Sequence, residues 1–135
     1  MIGNTYDTKE MKVSHVRKVW REVREAYPAG GRVVNISDWV EAGKKVIPSG
    51  TLAKIAQNAN GGKEVTCYLP TALPSEEETT GYEEYGYTKN DIPLTDENTV
   101  GTATVVYDGE IYKYMLPEEV QPVGKKLVPG VKQVF

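Results

Sequence analysis

The chain has 135 residues, a hydrophobic fraction of 39% and a formal net charge of −3, which suits one domain with one ordinary core. A negative balance argues against non-specific nucleic-acid binding, which needs clustered Lys and Arg, and no apolar run approaches the roughly 20 residues that cross a bilayer. The lone cysteine, Cys67, excludes an intrachain disulfide framework, and the opening MIGNTYDTKEM lacks the apolar core of a secretory signal, so the expectation is a soluble protein made inside the cell without export.

Charge is unevenly spread. Residues 1–32 carry Lys9, Lys12, Arg17, Lys18, Arg21, Arg24 and Arg32 against Asp7, Glu10, Glu22 and Glu25. Residues 64–97 carry Glu64, Glu76, Glu77, Glu78, Glu83, Glu84, Asp91, Asp96 and Glu97 against Lys89 alone. This is either a solvated acidic loop beside an ordinary helix, or a basic end built to dock on an acidic surface, including that of an identical subunit.

In chain order, residues 8–27 give the first signal. Val13, Val16, Trp20, Val23 and Tyr27 recur at spacings of three and four, which predicts an amphipathic helix. Asp7 or Thr8 can cap it, and Pro28, Gly30 and Gly31 stop it. From Gly31 the pattern changes to short strands broken by Gly, Pro and Asn. They are predicted at Arg32–Ile36, Val46–Ile47, Thr51–Ile55, Glu64–Leu69, Gly101–Tyr107, Glu110–Tyr114 and Lys126–Val128. Between Val46–Ile47 and Thr51–Ile55, the residues Pro48-Ser49-Gly50 predict a sharp turn, since Pro sets one φ and Gly permits a positive one. NANGGK at Asn58–Lys63 predicts a turn between strands, and Asp108-Gly109 predicts a two-residue hairpin.

Ser75–Asp96 is long and acidic, yet Tyr82, Tyr85 and Tyr87 predict an ordered excursion that packs on the domain or on a neighbour. Pro122, Pro129 and Gly130 predict an extended C-terminal tail. The expected division of this single domain is an N-terminal arm and helix at 1–30, a β domain at 31–120 and a tail at 121–135.

Residues for chemistry are scarce. One histidine, His15, and one thiol, Cys67, cannot make a structural zinc site within the chain, and Cys67 in VTCYL reads as a small core residue. The clustered loop carboxylates lack the asymmetry that an acid–base pair needs. No GxxxxGK[ST] or GxGxxG spacing occurs. The expectation is a protein without enzymatic activity or cofactor.

Three segments occur in a telling order: YPAGGRVVNISDW at Tyr27–Trp39, VIPSGTLAKI at Val46–Ile55, and YGYTKNDIPLTDENTVGTATVVYDGEIYKYMLP at Tyr85–Pro117. Over residues 27–120 the chain resembles head decoration (cement) and head-fibre-type accessory proteins of tailed bacteriophages. The resemblance implies a mainly β fold of β-clip kind, a small barrel or sandwich; the one N-terminal helix and the long acidic loop predicted from the residues are more than a minimal decoration protein needs. It also implies a homotrimer that binds the major capsid protein on the capsid exterior, after synthesis in the bacterial host cytoplasm, with no nucleic-acid or membrane partner.

Apolar residues in otherwise unanchored ends and on the helical stripe are the candidates for capsid or subunit contact: Ile2, Tyr6, Val16, Trp20, Val23, Tyr27, Val131, Val134 and Phe135. Pro48, Gly50, Asp108 and Gly109 are read as shape-setting turn residues. IPxGT also occurs in other β-clip domains, so the alternative is a small ligand- or glycan-binding module with Tyr82, Tyr85 and Tyr87 as stacking faces.

Overall fold

The computed structural model describes residues 18–28, 30–74, 84–94 and 101–135. Among the described residues, ten strands and two short α-helices follow one another as β1 (Trp20–Ala26), β2 (Gly31–Val33), α1 (Ile36–Glu41), β3 (Val46–Ile47), β4 (Leu52–Gln57), β5 (Lys63–Cys67), β6 (Glu84–Thr88), β7 (Ile92–Pro93), β8 (Thr102–Ala103), β9 (Val105–Tyr112), α2 (Val120–Leu127) and β10 (Val131–Val134). A 3-10 turn, Lys113–Met115, follows β9. The domain is mainly β.

Eight strands form one sheet in the order β1-β9-β6-β4-β5-β2-β8, with β10 added parallel to β9. β8 and β9 are separated only by Thr104. A single run of chain therefore pairs with β2 at one point of the sheet and with β6 and β1 at another, which curls the sheet into a half-barrel. β3 and β7 pair in a separate two-stranded ribbon.

Alternation along the strands gives the sheet two apolar faces. On β4, Ala53 and Ile55 enter a core with Trp39, Ile47, Val65 and Val105. Their neighbour Leu52 enters a second core with Tyr87, Val106, Ile111 and Val120. α1 covers the first core through Ile36 and Trp39, and α2 covers the second through Val120, with Val123 and Leu127 packed beside it. β4 and β5 are joined by the NANGGK turn, where Asn58 Oδ1 accepts from the amides of Asn60 (2.9 Å) and Gly62 (3.0 Å).

Several expectations are corrected. Residues 20–26, the end of the predicted helix, form strand β1; residues 8–17 lie outside the described residues. The threefold spacing is nevertheless real: Trp20, Val23 and Ala26 are half-buried and the residues between them exposed. Its cause is a bulged ladder, with register shifts against β9 at Trp20/Glu22, Val23/Glu25 and Glu25/Ala26. Each extra residue delays the return to the buried face by one position, so a bulged strand imitates a helical period.

Asp108-Gly109 makes no hairpin. β9 runs straight through both residues, fusing the two predicted strands around them. Gly109 is not among the glycines with positive φ. Glycine is needed there for another reason: a Cβ would collide with the carbonyl oxygen of Glu22 on bulged β1.

The expected C-terminal tail is α2 and β10, with Val131 3% exposed. The predicted strand Lys126–Val128 falls mostly in α2. Pro122 lies in the first turn of α2, where its missing N–H breaks no helical bond. Within the expected acidic excursion, residues 84–88 and 92–93 are strands β6 and β7, while 75–83 and 95–96 lie outside the described residues.

Candidate functional site

A groove of about 500 Å³ lies between the Pro48-Ser49-Gly50 turn, α1 and the chain that follows β9. Its shape follows from the turn. Gly50 takes φ +84°, and its amide donates to Thr88 O at 2.8 Å. Thr51 Oγ1 and Thr88 Oγ1 both donate to Pro48 O, at 2.5 and 3.0 Å. The Ser49 amide and hydroxyl go to Asp91 Oδ1 (2.6 Å) and Lys89 O (2.7 Å). With these polar groups engaged by residues 88–91, the turn presents an apolar wall. Met115, Leu116 and Pro117 line the groove with it, together with Trp39, Tyr68 and Pro70.

Trp39 is held in place by a polar clamp. Its Nε1 donates to Cys67 O at 3.0 Å, and Asn35 Nδ2 donates to the same oxygen at 2.6 Å. The Cys67 amide returns a bond to Asn35 Oδ1 at 3.0 Å. Asn35 thereby imitates a neighbouring strand at the end of β5, satisfying backbone groups that the sheet leaves unpaired.

Beside the groove stands an exposed aromatic corner. Tyr114 is 67% exposed and Phe135 84% exposed. Tyr112 links them, with ring centroids 5.6 Å from Tyr114 and 6.3 Å from Phe135. Scattered exposed apolar residues are ordinary, but three adjoining aromatic rings form a surface suited to burial against a partner.

Comparisons with protein-family models, curated proteins and solved structures find no match. The chain is therefore read from its own geometry. Among the described residues, no group of three or more His, Cys, Asp and Glu is placed to hold a metal ion, and no helix is long and apolar enough to cross a membrane.

Of the predicted contact residues, Ile2, Tyr6 and Val16 lie outside the described residues. Trp20 and Val23 pack against the second core, where the Trp20 indole meets Tyr87 edge-on at 6.2 Å and donates to Thr88 O. The Tyr27 ring lies tilted against Tyr107, with centroids 4.5 Å apart. Val131 is buried and Val134 half-buried in β10, which leaves Phe135 at the exposed corner.

Tyr85 and Tyr87 are 7% and 0% exposed, so neither offers a stacking face to a ligand; Tyr82 lies outside the described residues. Tyr114 was missed by sequence reasoning. Its signal was the pair Tyr112 and Tyr114 just before Met115, Leu116 and Pro117, where a strand ends with apolar residues still to place.

Two buried groups, Cys67 and Tyr87, and the half-buried Tyr27 hold their protons unusually firmly. Burial pushes the Cys67 thiol from 9.0 up to about 12, and the Tyr87 hydroxyl from 10.0 to about 12. Burial, and then the Glu84 carboxylate, raise Tyr27 to about 12. Because the Cys67 and Tyr87 pKa values are higher folded than unfolded, the contribution of these two buried groups is complete below about pH 9 and is lost as pH rises toward 12. Urea unfolding should show stability falling by on the order of 2 kcal/mol between about pH 8 and about pH 10.5. A Cys67→Ala variant should lose the early part of that decline; an unchanged profile would refute the assignment.

Proposed function

We propose that this chain is a non-enzymatic structural protein of a tailed-phage virion, a decoration or head-fibre component that binds the major capsid protein on the shell exterior. Its fold is β-clip-like, and it acts as a homotrimer. The observation that carries the reading is the exposed corner of Tyr112, Tyr114 and Phe135 on a scaffold whose turn polar groups are engaged internally. Rigid aromatic side chains lose little conformational freedom on contact and bury a large area. The ordered set of YPAGGRVV, IPSGT and GTATVVYDGEIY motifs gives the same direction.

Many copies on one shell need only modest affinity each to oppose internal pressure. The purified protein should size as a trimer and co-sediment with empty capsids of its virus. Replacing Tyr114 and Phe135 together by Ala should weaken co-sedimentation by about 30-fold, as expected for two central anchors. A wild-type protein that binds no capsid defeats the proposal, and a double variant that binds undiminished removes the aromatic corner from it.

The alternative, a small-ligand module, is supported by the groove volume, which lies within the range of ligand pockets. It has lost the stacking role of Tyr85 and Tyr87.

A further inference from the structure

Another hollow, of about 370 Å³, lies where the end of β1 and the start of β6 meet β9. Tyr27, just after β1, and Tyr107 of β9 bring their rings together in it, and Glu84, the first residue of β6, lines it with them. The Tyr27 amide donates to Val105 O at 2.9 Å, which fixes that residue against β9. Val128, Pro129 and Gly130 add an apolar wall. A Cβ at Gly130 would collide with the carbonyl oxygen of Tyr107, so glycine lets the α2–β10 connection run close over β9.

The hollow is electronegative. The Tyr107 hydroxyl donates to Glu25 Oε2 at 2.8 Å, and that bond, then burial and the charges of Glu25, Asp108 and Glu84, raise its pKa. Burial first, and then Glu84, do the same to Tyr27. Carboxylates that help to keep a tyrosine neutral place it in a negative potential, and the aromatic faces add their own negative quadrupole. Among the described residues, no Lys or Arg lines this hollow; Lys63 lines an adjoining one that shares Tyr27 and Glu84. The ion pairs of Arg21 and Arg24 go to Glu22, Asp108 and Glu110, and none of them reaches Glu25 or Glu84.

We propose that this hollow receives an arginine side chain of a partner protein, its guanidinium lying against the Tyr27–Tyr107 pair and donating to the Glu84 carboxylate. The inference goes beyond the capsid reading and stands without it. A guanidinium suits the place better than an ammonium, because it is planar and weakly hydrated and can stack on a ring while its N–H groups donate in the plane. A partner suits it better than a free cation. Glu84 is exposed and both rings are only half-buried, so the hollow cannot enclose a small ligand as closed pockets do. The chain flanking the arginine must supply the remaining contacts.

Titration of the full chain with blocked Gly-Gly-Arg-Gly-Gly, followed by NMR, tests this. Shifts should centre on Tyr27, Glu84 and Tyr107, the lysine analogue should bind at least ~5-fold more weakly, and the neutral citrulline analogue should not bind. Glu84→Gln, an exposed change, should weaken the arginine peptide about 10-fold. Tyr107→Leu should weaken it several-fold, whereas Tyr107→Phe, which keeps the π face, should bind within about two-fold of the parent. Equal binding of the citrulline peptide, or binding that Glu84→Gln leaves unchanged, would overturn the proposal. So would tetramethylammonium binding as tightly as the arginine peptide, since the occupant would then be a free ammonium ion.

Discussion

Gly86→Ala is expected to destabilise the domain by about 3 kcal/mol. Gly86 sits in the middle of β6, opposite Ala53 of β4, and its neighbour Tyr87 is paired with Val106 of β9. A Cβ there would fall inside contact distance of the Val106 carbonyl oxygen and 2.6 Å from Val105 Cγ1. Backbone cannot swing away as a side chain does, and β6 is held on both edges, so the two strands must separate. Gly62→Ala, in the exposed β4–β5 turn, meets only the Asn58 side chain at 3.2 Å and should change stability by no more than about 0.5 kcal/mol. Denaturant midpoints of the two variants against the parent check the pair. A Gly86→Ala protein as stable as Gly62→Ala would show that β6 and β9 are not so tightly apposed.

Trp39→Ala should cost about 4 kcal/mol, the largest effect among the core residues described. The indole is 2% exposed and closes the first core from above. α1 has six residues, too few to persist without packing. Removing the ring also takes one donor from Cys67 O and releases α1 from the sheet. Trp39→Phe retains most of the volume, and Asn35 still donates to that oxygen, so its cost should be about 1 kcal/mol. Urea unfolding followed by the fluorescence of the remaining Trp20 distinguishes the cases. Equal losses in the two variants would show that the hydrogen bond, rather than packing, holds α1.

The expectations that failed share a physical origin. Period-three burial in β1 comes from bulges that form only because β9 is there to slip against, and nothing within Trp20–Ala26 announces them. Asp108-Gly109 has the local chemistry of a hairpin, yet β9 is pinned on one side by β1 and on the other by β10, and those pairings outweigh the turn preference. α2 contains Pro122 and Gly124, both poor in a helix interior. The first is harmless by position, and the second lets the Tyr87 ring lie close, with Cζ 2.9 Å from where a Cβ would stand. Tyr85 and Tyr87, set among acidic residues, are expected in a packed excursion or, in the alternative, as ligand-stacking faces; they form the middle of a central strand.

The amino-acid order by itself determined a mainly β domain, the β4–β5 turn and the Pro48-Ser49-Gly50 bend. Each depends on contacts within a few residues: a glycine with positive φ, an Asn that caps its own loop, a strand with alternating faces. It also singled out Phe135 as an apolar residue needing a partner. Tertiary structure alone decided that two cores lie on opposite faces of one curled sheet, that residues 120–134 complete it, and that Tyr112, Tyr114 and Phe135 meet at one corner. These arrangements join residues that are distant along the chain. Their energy lies in pairing and close approach, which no local pattern encodes.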